Sequence, residues 1–231
     1  MHLLSKAKGV LFDLDGTLLD TADDLGATLN YLLNRYAFKP VSSTQYRLVA
    51  SDGVYPLLDL GFKEQLVNYD KLQLRQEFLD YYLLNLAKHT ILYPGIAKLL
   101  SAIETANIPW GIVTNKPGFL TEPLLTNFPQ FSHSRTNISG DTIAQSKPHP
   151  APMLLASKEI GVAAEHIWYL GDAKRDIEAG NAANMTTVVA KWGYIKDQNA
   201  CTSWQADHMV EDPLQLLEII KQASRTKINQ L

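Results

Sequence analysis

The chain has 231 residues, 46% hydrophobic and 19% charged, with 21 Lys and Arg against 24 Asp and Glu for a formal charge of −3. That composition can fill a packed core, and no Lys or Arg run builds the basic stripe that would point to nucleic acid as the main partner. One cysteine, Cys201, excludes an internal disulfide framework or a multi-cysteine zinc site. No apolar stretch approaches the ~20 residues of a membrane span, and Lys6 and Lys8 interrupt the apolar N-terminus, so no membrane association and a cytoplasmic location are expected.

The first apolar run, Val10-Leu11-Phe12, has the unbroken character of a strand buried on both faces. Asp13-Leu14-Asp15-Gly16-Thr17-Leu18-Leu19-Asp20 follows it. Two carboxylates two residues apart at the end of a buried strand are costly unless a divalent cation balances them. Gly16 lets the backbone turn, and Thr17 can tie the turn with its hydroxyl. A helix-capping turn is the competing reading. It accounts for Asp20 ahead of Ala22-Asp23-Asp24, but not for two acids directly after Val-Leu-Phe.

From Asp20 to Tyr93 only helix patterns occur. Leu25, Leu29, Leu32, Leu33 and Tyr36 make one amphipathic face, and Lys63 to Lys88 makes another with Leu66, Tyr69, Leu72 and Phe78. A crossover between parallel strands needs only one helix. Residues 20–93 are therefore expected to form a separate helical cap, with residues 1–19 and 94–231 as the core, ahead of the plainer reading that these helices pack directly on the sheet.

Strand and helix then alternate. Ile96, Leu99, Leu100 and Ile103 mark a helix after Pro94-Gly95, and Trp110–Val113 is a second strand. Thr114-Asn115-Lys116-Pro117 after it offers a hydroxyl and backbone N–H groups for a phosphate, though a plain helix N-cap reads equally. Ile138 lies in a weaker strand candidate. Prolines on both sides of His149 stiffen Lys147-Pro148-His149-Pro150 and would hold Lys147, while Pro150 opens a helix to Ile160. His166–Leu170 is a third strand, followed by Gly171-Asp172-Ala173-Lys174-Arg175-Asp176 and a helix to Ala183. Thr186–Ala190 is a fourth strand and Ala206–Val210 a weaker one; a last helix, Pro213–Ala223, would turn Leu214, Leu217 and Ile220 inward. This alternation predicts a doubly wound α/β parallel sheet with its ligand at the carboxyl ends of the strands.

Asp13 and Asp15, Thr114, Lys147 and Asp172, in that order at successive strand ends, resemble the four motifs of the haloacid dehalogenase superfamily. The resemblance runs from Lys8 to about Leu217 and implies a Rossmann-like core, an inserted helical cap and Mg²⁺. It implies that Asp13 attacks phosphorus, that Asp15 protonates the leaving group and then deprotonates water, and that Mg²⁺ is held by Asp13, the backbone carbonyl of Asp15, and Asp172. Thr114 and Asn115 would bind phosphate oxygens, Lys147 would hold phosphate and Asp13, and Asp176 would orient the metal site or Lys147. A second acid at Asp15 suits a phosphatase or a phosphomutase, because a halide leaves without a proton.

Within the superfamily, Val113–Pro117, Lys147–Pro150 and Gly171–Gly180 resemble the phosphoglycolate phosphatases. Trp110, Gly193-Tyr194-Ile195, Trp204 and Ala206-Asp207 look closer to bacterial N-acetylmuramic acid 6-phosphate phosphatases. Both imply a small-molecule phosphomonoester as substrate; a monomer or homodimer is expected. Arg47, in the segment Arg47–Gly53, could pair with a substrate carboxylate or face solvent, and Asp52 stands where these families more often carry glycine. A phosphomutase is one alternative. A signalling receiver domain is another, against which the Asp13-Leu14-Asp15 spacing and the helical insertion both speak. His2, His89, His133, His166 and His208 match no motif, His149 would shape its loop without touching substrate, and Cys201 has no base near it in sequence.

Overall fold

The computed structural model describes residues 7–216 and Glu218. Strand β1 (Gly9–Phe12) is followed by β2 (Leu19–Asp20) and by four helices, α1 (Ala22–Arg35), α2 (Ser43–Tyr46), α3 (Val54–Phe62) and α4 (Lys71–Leu84). Then come β3 (Ile91–Leu92), α5 (Ile96–Thr105), β4 (Trp110–Val113), α6 (Gly118–Leu125), β5 (Asn137–Ile138), α7 (Ala151–Ile160), β6 (Ile167–Gly171), α8 (Lys174–Ala182), β7 (Thr186–Ala190) and β8 (His208–Val210).

Six strands make one parallel sheet in the order β5-β4-β1-β6-β7-β8, the doubly wound α/β architecture expected from the alternation. All of β1, β4 and β6 is buried, as continuous apolar runs covered on both faces must be. Side chains alternate between the faces. Val10, Phe12 and Trp110 pack with Leu99 and Ile103 on one side, Leu11, Val113 and Tyr169 with Met153 and Ala179 on the other. Register then sets the site: Phe12 lies opposite both Ile112 and Leu170, so the residues following β1, β4 and β6 emerge side by side.

Between β2 and β3 the chain is helical, with one correction to the sequence reading. Leu19–Asp20 and Ile91–Leu92 pair as an antiparallel ribbon where the helical segment leaves and rejoins the sheet. Strands of two residues carry no measurable period, so no strand was expected there. The helices close around their own apolar cluster, including Leu29, Leu33, Leu57, Phe62 and Phe78, which also takes in Leu120 of α6.

The segment Lys63–Lys88 is not one helix. A short 3₁₀ turn at Lys63–Asn68 precedes α4, and the Asp70 carboxylate caps α4 by accepting the N–H groups of Leu72 (2.8 Å) and Gln73 (3.2 Å). In the helix that starts there, Leu74, Phe78, Leu79 and Tyr82 are buried and Leu72 is 71% exposed. At the C-terminal end Leu216 is buried and Leu214 exposed, reversing the expected inward face; Leu217 and Ile220 lie outside the described residues. Among the described residues no helix is long and apolar enough to cross a membrane.

Candidate active site

The carboxyl ends of β1, β4 and β6 bring the strand-end motifs together. Asp13 leaves β1 with its N–H donated to the Leu170 carbonyl (2.8 Å), so its position is set by the neighbouring strand. Lys147 reaches it from the loop before α7. The buried Lys147 ammonium donates to Asp13 Oδ1 (2.7 Å), Val113 O (2.8 Å) and Tyr169 Oη (2.8 Å), and ion-pairs with Asp176 Oδ1 at 2.7 Å. Burial acts to lower its pKa, but the charges of Asp13 and Asp176 outweigh it and hold the pKa above the ordinary lysine value. The loop carrying it is clasped by Asn115, whose Nδ2 donates to the Lys147 carbonyl and whose Oδ1 accepts the Lys147 N–H.

Asp15 faces a different lysine. Its Oδ1 accepts from Thr21 Oγ1 (2.6 Å) and from Lys116 Nζ (3.0 Å), and Lys116 also donates to Tyr82 Oη (3.0 Å) from α4. Burial opposes the charge of Lys116 while Asp15 sustains it, and its pKa is raised. The two acids of the β1 end are thus held apart by two buried cations, in separate local fields.

Asp172 closes the third side. Its Oδ2 accepts the Tyr194 N–H (2.8 Å) and the Ser51 hydroxyl (3.3 Å), and its Oδ1 accepts from Thr17 Oγ1 (3.3 Å). Burial pushes its pKa up to about 8, with the charges of Asp13 and Asp176 acting in the same direction. Burial likewise lifts Asp13 to about 6, against the pull of Lys147. Space around Asp172 is exhausted: a Cβ on Gly16, which sits at φ +90°, would lie 2.2 Å from Asp172 Oδ2.

Three buried carboxylates, Asp13, Asp172 and Asp176, present oxygens within 4.8 Å of one another. Lys147 offers one positive charge among them, so the group retains an excess of negative charge and suits a divalent cation. Asp176 has committed Oδ1 to Lys147 and Tyr169 and Oδ2 to the Ala173 N–H. Asp13 and Asp172 are accordingly the better donors. The Asp15 carboxylate lies outside this cluster; its carbonyl accepts from Ser51 Oγ at 3.3 Å.

A cavity of about 350 Å³ opens over Asp13, Asp15, Thr114 and Asn115 and runs beneath α4 and the Arg47–Gly53 turn. Arg47 is not on its wall. The Arg47 guanidinium is spent on Asp20 and Asp23 (2.9 Å to the latter), and the arginines that do line the cavity are Arg75 and Arg175. Asp20 is more than a helix cap. Besides Arg47 it accepts from Tyr194 Oη (2.8 Å), and its contact with the Ala22 N–H is long at 3.4 Å.

Residues 10–190 match the family model described as haloacid dehalogenase-like hydrolase. The chain belongs to that family. It is 42% identical over 211 residues to a phosphoglycolate phosphatase of Xanthomonas campestris pv. campestris, covering 91% of this chain and 95% of the relative. It is 37% identical over 218 residues to an N-acetylmuramic acid 6-phosphate phosphatase of Pseudomonas aeruginosa, covering 94% and 96%. Among solved structures, one described as a predicted phosphoglycolate phosphatase from Haemophilus somnus superposes with a TM-score of 0.82 at 26% identity, covering 93% of this chain and 98% of that one. Within the haloacid dehalogenase-like hydrolases this chain is therefore an enzyme of the phosphatase type.

For this hydrolase, sequence reasoning left Lys116, Tyr169, Arg75 and Arg175 without a role. Lys116 was visible as the residue after Thr114-Asn115, and Tyr169 as a polar group inside a strand that is otherwise apolar. The contacts that define them cross 22 to 101 residues of chain, and no local pattern reports such pairings.

Proposed function

We propose that the chain is a Mg²⁺-dependent phosphomonoesterase that works through an aspartyl phosphate on a small phosphorylated carboxylic or sugar acid. One observation carries this reading. The two carboxylates of a single strand end, Asp13 and Asp15, face one cavity and are each held by a different buried lysine. Their separate partners let the two take different parts, Asp13 as the nucleophile and Asp15 as the group that exchanges a proton with the leaving alcohol and the water.

Asp13 attacks phosphorus in line; a P–O bond forms to its carboxylate as the bond to the leaving alcohol breaks. Asp15 gives its proton to that alcohol, then takes one from the water that attacks the aspartyl phosphate and releases inorganic phosphate and free Asp13. Lys147 keeps Asp13 in place and offsets phosphate charge through it, and Thr114 on the cavity wall offers a hydroxyl to the phosphate. The side chain of Asn115 serves by holding the Lys147 backbone. Asp176, wholly buried, pairs with Lys147 alongside Asp13 and helps to fix it. A bound Mg²⁺, held by Asp13, Asp172 and the Asp15 carbonyl, would supply charge neutralisation at the phosphate oxygens.

Residues 20–93 would act as a cap over a core of residues 1–19 and 94–231, in keeping with the separate apolar cluster of the helices and the β2–β3 ribbon at their base. The acid requirement of the substrate rests on the names of the relatives, both of whose substrates carry a carboxylate. The test is phosphate release with Mg²⁺ present. Asp13→Asn should abolish turnover while the melting temperature stays near that of the parent. Near-parental hydrolysis by this variant would remove Asp13 as nucleophile, and isomerised sugar phosphate in place of free phosphate would make the enzyme a mutase.

A further inference from the structure

One wall of the cavity is a single face of α4. Arg75, Phe78, Leu79 and Tyr82 stand at i, i+3, i+4 and i+7, the spacing that puts side chains in one stripe, and all four line the cavity. The two ends of the stripe differ. Tyr82 hydrogen-bonds Lys116, which holds Asp15, so this end belongs to the reacting centre. Arg75, seven residues earlier, lies about 10 Å away along the helix axis at 1.5 Å per residue.

The positive groups on this cavity are not equivalent. Lys116 is matched by Asp15. The Arg175 guanidinium donates to the Ser51 carbonyl (2.5 Å) and lies 3.8 Å from Asp52. Arg75 is half-buried on the wall and, among the described residues, has neither an ion pair nor a hydrogen-bond acceptor. A guanidinium left unmatched in a partly apolar cavity is a seat for an anion, and its planar fork suits a carboxylate held by two bonds. Between it and Tyr82 lie Phe78 and Leu79, with Leu25 and Leu120 among the other lining residues, an apolar surface that fits the face of a sugar ring and not a polar chain.

From this geometry we propose that Arg75 is the specificity-determining residue of the cavity, binding a carboxylate about one sugar ring away from the phosphate that meets Asp13. The inference rests on the phosphomonoesterase reading above and narrows its substrate to sugar-acid phosphates. In a two-carbon acid such as 2-phosphoglycolate, three bonds separate phosphorus from the carboxylate carbon, which spans only about 4 Å at ordinary bond lengths. A molecule that short spans less than half of the ~10 Å helix rise between Tyr82 and Arg75, so it is the poorer match for a contact at both ends. A hexose phosphorylated at one end, with a carboxylate-bearing ether across the ring, is the better match.

The experiment compares three probes, N-acetylmuramic acid 6-phosphate, N-acetylglucosamine 6-phosphate and 2-phosphoglycolate, on the parent, Arg75→Ala and Arg75→Lys. Removing a charge-assisted bond of about 1.5–3 kcal/mol should raise KM for the muramic acid ester about 10- to 100-fold, with kcat changed far less. That rise should exceed the change for the two other probes at least ten-fold, and Arg75→Lys should recover part of it, because the charge is kept and the fork is lost. Equal KM changes for the two sugars, or an unchanged KM for the acid, would overturn the proposal. So would a parent enzyme whose kcat/KM is highest for 2-phosphoglycolate. A parent that, with Mg²⁺ present, releases phosphate neither from these three nor from the generic ester p-nitrophenyl phosphate would instead strike the phosphomonoesterase reading itself.

Discussion

Asn115 holds Lys147 with both ends of its side-chain amide: Nδ2 donates to the Lys147 carbonyl at 2.8 Å, and Oδ1 accepts the Lys147 N–H at 3.0 Å. The pair links the loop after β4 to the loop before α7, across 32 residues of sequence. It decides where the ammonium of Lys147 can reach, since that ammonium is anchored at its far end by Asp13 and Asp176.

Asn115→Ala should therefore act through Lys147. Losing two part-buried hydrogen bonds costs about 1–3 kcal/mol of stability, seen as a lower melting temperature. kcat should fall at least ten-fold, because a small displacement of a charged group costs much of its effect on the transition state. Asn115→Asp keeps the acceptor and loses the donor, and should fall between the two. A variant with normal kcat and a lowered melting temperature would confine Asn115 to a structural part.

Asp15 and Lys116 lead to a prediction about leaving groups. A sugar or alkyl alcohol needs a proton as it departs, whereas p-nitrophenolate hardly does. Asp15→Asn should lower the rate of the first chemical step by about 10²–10⁴ with sugar phosphates and by much less with p-nitrophenyl phosphate. Since the variant also lacks the base for the second step, rapid mixing should record one equivalent of nitrophenol released quickly and slow turnover afterwards. Equal losses on both substrates would take the proton role from Asp15. Lys116→Met, by uncoupling Asp15 from the cation 3.0 Å away, should show the same leaving-group dependence in weaker form.

The part of this arrangement that was legible in sequence is the part fixed by neighbours along the chain. An apolar run of strand length followed by an acid, a Thr or a Gly-Asp pair reports a buried strand and its end, so Asp13, Asp15, Thr114 and Asp172 could be placed from pattern alone. Gly16 could be read as a turn, but not as the residue that leaves room for Asp172, 156 positions later. Arg47 drew attention because it precedes small residues in a loop. The structure spends it on Asp20 and Asp23, and the arginine free to meet a ligand, Arg75, lay in a helix that reads as amphipathic surface. Leu72 was misplaced for a related reason: the three-residue spacing of Leu66, Tyr69 and Leu72 reads as one helical face and cannot reveal that Asp70 starts the helix anew.

The carboxylate cluster should make the metal-free protein sensitive to pH. Asp172 is raised from 3.8 to about 8 and Asp13 from 3.8 to about 6, so the folded state holds these protons more tightly than the unfolded chain. The resulting stabilisation is complete below about pH 4 and is lost as pH rises, through about 6 for Asp13 and about 8 for Asp172. In EDTA the melting temperature should fall between pH 5 and 8.5. Added Mg²⁺ should replace the lost protons and raise it most at the alkaline end, where binding adds about 2.7 kcal/mol of stability at a hundred-fold excess over Kd. The same pH slope with and without Mg²⁺ would place the cation away from Asp13 and Asp172.

Asp52 brings an acid to the wall of a cavity meant for anions, and its partners explain why it is tolerated. It lies 2.6 Å from Lys196 Nζ and 3.8 Å from Arg175, so the local balance of the three groups stays positive. These pairs are partly exposed, and each is worth at most about 1 kcal/mol. Asp52→Asn should thus move the melting temperature little while uncovering the two cations. One uncovered charge ~8 Å from a phosphate charge in a water-like medium contributes ~0.5 kcal/mol, and a dianion doubles this. KM at low salt should accordingly drop about two- to five-fold for every phosphomonoester tested, with or without a carboxylate. In 0.5 M NaCl, where screening shortens to about 4 Å, parent and variant should converge. A KM that instead rises, and stays raised in salt, would make the tie between the Arg47–Asp52 turn and α8 the larger contribution of Asp52, outweighing its charge.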